Sequence, residues 1–225
     1  MKHLVIACDI MKHELLHHQH GEMSFVFLEQ CLHNTPQKMR EVIQDEINKA
    51  GQRERNTIIL GYGLCGNGVL GVKSDRQRLA IPRIHDCITL FLGSREKYTE
   101  EHGKEPGTYY LTKGWIEKED TPLGNYKKYC QRYGTEEAEW VIREEFKAYK
   151  RIAFVHTGVQ VSAVHREHAL ENARFLDLKY EEIKGSPAFF EKMLREPWDE
   201  DFIILEPGEA LTQELFLDYR KETDK

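Results

Sequence analysis

Short apolar runs alternate along this chain with amphipathic stretches of helical spacing, and that alternation limits its fold more than any other feature. Leu4-Val5-Ile6-Ala7, Phe25-Val26-Phe27-Leu28, Thr57-Ile58-Ile59-Leu60, Leu79-Ala80-Ile81, Ile152-Ala153-Phe154-Val155 and Phe202-Ile203-Ile204-Leu205 read as strands, with Tyr180 to Ile183 as a further one. Between them, Asn34-Thr35-Pro36 supplies a helix cap and a first-turn proline, and Met39, Val42, Ile43 and Ile47 follow at helical spacing up to Gly51. Further helical patterns run from Asp86 to Glu101, from Val161 to Leu176 and from Phe189 to Leu194. Such alternation predicts an α/β fold, a doubly wound and mostly parallel sheet with helices on both faces. From Gly114 to Lys150 the texture changes to tyrosines, Cys130, Trp140 and many charges in helical array, which reads as a helical insertion or cap at about 114–150. No repeat, low-complexity tract or flexible linker interrupts the chain, so residues 1–225 are expected to form a single domain.

With 40% hydrophobic residues in 225, there is enough apolar surface for a real core. The net charge of −6 argues against nucleic acid or an anionic membrane as the main partner and leaves a small-molecule substrate as the expectation. The first apolar run is too short for a signal peptide, and nothing approaches the ~20 apolar residues of a membrane span, so a cytoplasmic protein is expected. Five cysteines, at 8, 31, 65, 87 and 130, are an odd number for a disulfide framework. Reduced thiols, free for metal or redox chemistry, fit that setting better.

In a doubly wound sheet, ligands sit beyond the carboxyl ends of the strands, where loops converge. Cys8-Asp9 follows the first predicted strand, Cys31 and His33 the second, Gly63-Leu64-Cys65-Gly66 the third and His85-Asp86-Cys87 the fourth. A lone cysteine at a strand end is ordinarily a small packing residue, but several on one edge point to soft ligands for zinc or an iron–sulfur cluster. Cys8, Cys65 and Cys87 form the expected metal set, a zinc ion or a [4Fe–4S] cluster with one position open. His33, His85 and His156 are candidate fourth ligands or proton carriers, the last by its place after the strand at 152–155. Catalytic thiols without metal remain the alternative.

Gly61-Tyr62-Gly63-Leu64-Cys65-Gly66 satisfies G-x-G-x-x-G, yet Asn67-Gly68-Val69-Leu70-Gly71 continues the loop where a dinucleotide site needs a helix. Gly63 and Gly66 are better read as letting backbone amides approach an anion or a metal-bound ligand. His13-Glu14-Leu15-Leu16-His17 matches H-E-x-x-H, but His18 and His20 make the stretch simply His-rich, and a solvated helix is expected there. Thr108, Tyr109 and Trp115 are expected on a pocket wall with the helical insertion as lid, or else in an edge strand. His165 and His168 read as an exposed helical face.

Taken together, the strand ending in Cys8, Leu32-His33-Asn34-Thr35-Pro36, Tyr62-Gly63-Leu64-Cys65-Gly66, His85-Asp86-Cys87 and Pro106-Gly107-Thr108-Tyr109 resemble the bacterial and archaeal domain of unknown function 1638. The resemblance spans nearly the whole chain. It aligns Cys8, His33, Cys65, His85 and Cys87 with the family's pattern and leaves Cys31 and Cys130 outside. Asp9 stands where relatives often carry glycine, and Asp86 separates His85 from Cys87 where many relatives have the two adjacent. The family's association with corrinoid-dependent methyltransferases implies a role in one-carbon metabolism. It implies either an enzyme there or an accessory protein that binds a methyltransferase or its corrinoid protein.

Overall fold

The computed structural model describes residues 3–51 and 57–217, apart from the side chains of Cys31 and His33. In chain order its elements are β1 (His3–Cys8), α1 (Lys12–His17), β2 (Met23–Leu28), α2 (Pro36–Ala50), β3 (Thr57–Gly61), β4 (Arg78–Pro82), α3 (Ile88–Leu92) and α4 (Arg95–Lys104). They continue with β5 (Thr108–Leu111), α5 (Lys113–Glu117), α6 (Pro122–Tyr133), α7 (Thr135–Phe146), β6 (Arg151–His156), α8 (Ala163–Leu176), β7 (Lys179–Lys184), α9 (Ala188–Met193) and β8 (Phe202–Leu205). The α/β expectation holds. Two compact units are formed, one by Met1–Thr89 with Phe189–Lys225 and the other by Leu90–Ala188.

The first unit is built on a five-stranded sheet of order β2-β1-β3-β4-β8. Its first four strands pair in parallel, and β8 runs antiparallel to β4. Leu4 to Ala7 and all of β3 are buried, as strands covered on both faces must be, which is why they read as unbroken apolar runs rather than alternating ones. The edge strand β2 buries only Leu28. On α2, Met39, Ile43, Ile47 and Ala50 form the buried stripe, with Pro36 in the first turn where its missing N–H costs nothing.

The second unit holds a separate three-stranded parallel sheet, β5-β6-β7. Its core gathers Leu111, Ile116, Ile152, Phe154, Ala169 and Ala173. The strands thus divide between two sheets, because β8 occupies the edge of β4 where a further parallel strand would have to pair. The segment read as a helical insertion contains α5, α6 and α7, and it serves as the crossover between the parallel neighbours β5 and β6. Among the described residues, no helix is long and apolar enough to cross a membrane.

Candidate functional site

Three strand ends of the first sheet carry the thiols. At the end of β1, the chain turns through a 3-10 helix at Asp9–Met11, and the backbone amides of Ile10 and Asp9 hydrogen-bond to the buried Cys8 sulfur. Neighbouring β3 ends at Gly61, opposite Ala7 in register, where a Cβ would lie 2.6 Å from the Ala7 methyl. Only glycine lets the two strand ends come this close. Beyond it, Leu64 N donates to Ile84 O at 2.9 Å and Cys65 N to His85 O at 3.1 Å, so the loop after β3 is tied to the loop after β4. Gly63 makes that possible, since a Cβ there would stand 2.7 Å from the Ile84 carbonyl oxygen.

The thiols therefore meet. Cys87 is hydrogen-bonded side chain to side chain with Cys65, and Cys8 stands within electrostatic reach of both. Cys65 itself has φ +44°, followed by Gly66 at +63° and Asn67 at +71°. For a residue with a Cβ this left-handed backbone costs roughly 1–2 kcal/mol. Strain held by surrounding hydrogen bonds is a common mark of a functional loop, and here it sits on the thiol that is hydrogen-bonded to Cys87.

Electrostatics at this edge oppose ionisation. Burial pushes the Cys8 thiol up to about 12, with Asp9 and Cys65 adding to the rise and the Ile10 and Asp9 amides opposing it. The Cys87 thiol is raised well above its ordinary value, first by its hydrogen bond with Cys65, then by burial and by the charge of Asp86. Tyr62, 4% exposed, is raised by burial and then by the neighbouring Cys8 and Cys65. Its hydroxyl has no hydrogen-bond partner. A buried donor left unsatisfied beside three thiols is a costly arrangement unless something completes it. Sequence reasoning passed over Tyr62, though its place between Gly61 and Gly63 was the available signal.

Among the described residues, no group of three His, Cys, Asp or Glu side chains is arranged to hold a metal ion. Ligating geometry for three thiolates needs a cation that offsets their mutual repulsion. The donor types nonetheless fit zinc or an iron–sulfur cluster, being three soft sulfurs at one edge with amides already directed at one of them.

The remaining expected residues are spread more widely. His85 is exposed, its carbonyl taken by Cys65, and Asp86 caps α3 by accepting from Ile88 N at 2.9 Å. Cys31 and His33 lie in the 3-10 turn Gln30–Asn34, their side chains outside those described. Gly66 faces open space, with nothing within 4 Å of a built Cβ. A 3-10 turn rather than a long helix follows the glycine run, which does not suit a dinucleotide pyrophosphate. In α1, His13 is half-buried and His17 exposed, whereas Glu14, which the H-E-x-x-H run would need as a general base beside the metal, is buried.

His156, Thr108 and Tyr109 belong to the second unit. His156 Nε2 lies 3.1 Å from Glu182 Oε1 at the end of β6. Thr108, first residue of β5, accepts from Arg151 Nε at 2.9 Å and donates to Glu105 O at 2.6 Å. Tyr109 packs edge-on against Phe146 and Tyr149, and burial raises its phenol. His165, read as part of an exposed face, instead has a side chain only 14% exposed, held between two polar neighbours.

The sequence profile of the family described as "Protein of unknown function (DUF1638)" matches residues 27–194. That span includes Cys65, Cys87 and His156, and it begins after β1, so Cys8 lies outside it. No curated protein matches the chain, and no solved structure does.

Proposed function

We propose that this chain, which belongs to the DUF1638 family, is a thiolate metalloprotein whose Cys8, Cys65 and Cys87 hold a zinc ion or one face of an iron–sulfur cluster, with a position left open for a small ligand. One observation carries this reading: three thiols from three parallel strand ends neighbour one another around the unpartnered hydroxyl of Tyr62. Zinc or a cluster iron would supply Lewis acidity or electron transfer there. The chain's own groups have separate tasks. The sulfurs bind, the Asp9 and Ile10 amides orient the Cys8 sulfur, and Tyr62 stays protonated at neutral pH to donate to the ligand. The role of His85, exposed two residues before Cys87, would be to carry away the ligand's proton. The expected link to corrinoid-dependent methyl transfer suggests a small thiol or amine as that ligand.

A second reading has its own support. The hydrogen bond between the Cys65 and Cys87 thiols also suits a metal-free dithiol that cycles through a disulfide. Oxygen-free purification followed by metal analysis and an absorption spectrum distinguishes the two. Stoichiometric colourless zinc, or iron with a broad brown absorption, supports the metalloprotein. Metal-free protein in which Cys65 and Cys87 oxidise as a pair supports the dithiol.

A further inference from the structure

The carboxyl edge of the second sheet carries chemistry that the thiol site does not use. Ser162, at the turn between β6 and α8, places its Oγ 2.9 Å from His165 Nδ1. The Ser162 backbone N–H also donates to Nδ1, at 3.1 Å, which fixes that nitrogen as the acceptor and leaves the ring proton on Nε2. His165 Nε2 in turn faces Glu117 Oε1 at 3.4 Å. A hydroxyl, an imidazole that accepts from it and a carboxylate that holds the far nitrogen are the three parts of a serine nucleophile. The first-turn amides of α8, Ala163 and Val164, have no carbonyl partners within the helix and lie beside Ser162, where a developing oxyanion needs donors. Two further features mark this edge as more than a helix start. Thr112, 1% exposed, has a hydroxyl without a hydrogen-bond partner, and the adjoining Lys113, 5% exposed, reaches Gln160 Oε1 at 3.4 Å. Gln160 has φ +48°, a left-handed backbone two residues before the serine.

We propose that Ser162, His165 and Glu117 form an acyl-transfer site that hydrolyses small neutral carboxylic esters. Ser162 Oγ attacks the ester carbonyl while its proton passes to His165 Nδ1. That proton leaves with the alcohol as the C–O bond breaks, and an acyl–Ser162 ester remains. Water, deprotonated by the same nitrogen, cleaves that ester to release the carboxylic acid and restore the hydroxyl. Glu117 is a positioning residue that keeps the imidazole in the required tautomer. Neutral substrates fit because the cations here already face carboxylates: Arg166 lies 2.9 Å from Glu182, and Lys113 is 3.7 Å from Glu117. This site is independent of the thiols and stands even if they bind no metal.

The competing role is helical capping, since Ser162 also accepts from the His165 backbone N–H in a capping box. Two substitutions separate the roles: His165→Gln keeps a side chain suited to the box while removing the base, and Ser162→Asp keeps a good cap while removing the nucleophile. The full chain is treated with a fluorophosphonate probe, the modified residue is found by mass spectrometry, and folding is followed by circular dichroism. The expected result is one adduct on Ser162, a labelling rate about 100-fold lower in His165→Gln, and no adduct at this position in Ser162→Asp, with both variants folded. An unlabelled wild type, an adduct elsewhere, or a His165→Gln variant that labels as fast as wild type would leave a helix cap and nothing more.

Discussion

The two sheets end in loops of opposite character. At the carboxyl edge of the first, Cys8, Cys65 and Cys87 are soft donors; burial pushes the Cys8 thiol up, and the hydrogen bond with Cys65 together with burial pushes up that of Cys87. At the edge of the second, His156, Glu182, Arg166, Glu117 and His165 pair acid with base at 2.9–3.4 Å. Parallel strands bring loops together in both, so topology supplies the meeting place and residue type decides what it can do. A desolvated thiol group calls for a cation from outside, whereas the second edge is already balanced and has protons to move.

The comparison breaks most sharply on metal content. Replacing Cys65 by Ala should abolish stoichiometric metal, since it removes one of the three proposed ligands, while His165→Gln should leave metal content unchanged. Metal retained in the cysteine variant would place the binding elsewhere. Next in size is a contrast in how charge is held. Arg151, 3% exposed, faces Glu101 at 3.4 Å and Glu181 at 2.8 Å. Arg151→Ala would leave the buried Glu101 with Lys97 and Lys104 alone, at 3.2 and 3.0 Å, and should cost about 1.5–3 kcal/mol in urea unfolding. A loss below about 1 kcal/mol would mean that water reaches the carboxylate.

Much of this was legible in the chain. Unbroken apolar runs announced β1 and β3 because strands covered on both faces need no polar alternation, and the cysteines followed those runs directly. Strand direction was not legible: nothing in Phe202-Ile203-Ile204-Leu205 says that β8 opposes β4, so the division into two sheets stayed hidden. His165 was misread because helical spacing describes only neighbours along α8, whereas Glu117 comes from α5. The left-handed backbone at Cys65 had no sequence signal either, since that conformation is imposed by the ties to Ile84 and His85.

Titration sharpens the contrast further. Below its unfolded value of 9.0, Cys8 is a thiol in both states; above it, the unfolded chain releases a proton that the folded one keeps up to about 12. Folded stability of chelator-treated protein should therefore fall with rising pH across that window, by about 2 kcal/mol at roughly pH 10.5 relative to Cys8→Ala. Parallel curves for the two proteins would mean that the Cys8 sulfur is hydrated. An effect of similar size belongs to the loop itself. Gly63→Ala presses a methyl on the Ile84 carbonyl and should cost about 1–3 kcal/mol with a matching fall in metal affinity, measured by thermal unfolding with and without zinc.

X-ray absorption at the metal edge of protein purified without oxygen tests the central claim most directly, because it counts sulfur neighbours. For zinc the account predicts three protein sulfurs at about 2.3 Å, with one lost in each single Cys→Ser variant at positions 8, 65 and 87 that still retains metal; for a cluster, whose sulfides are counted too, it predicts iron–iron scattering that disappears when the three cysteines are replaced together. A first shell of nitrogen and oxygen alone, a zinc sulfur count unchanged by the single substitutions, or iron–iron scattering that survives the triple one would contradict it.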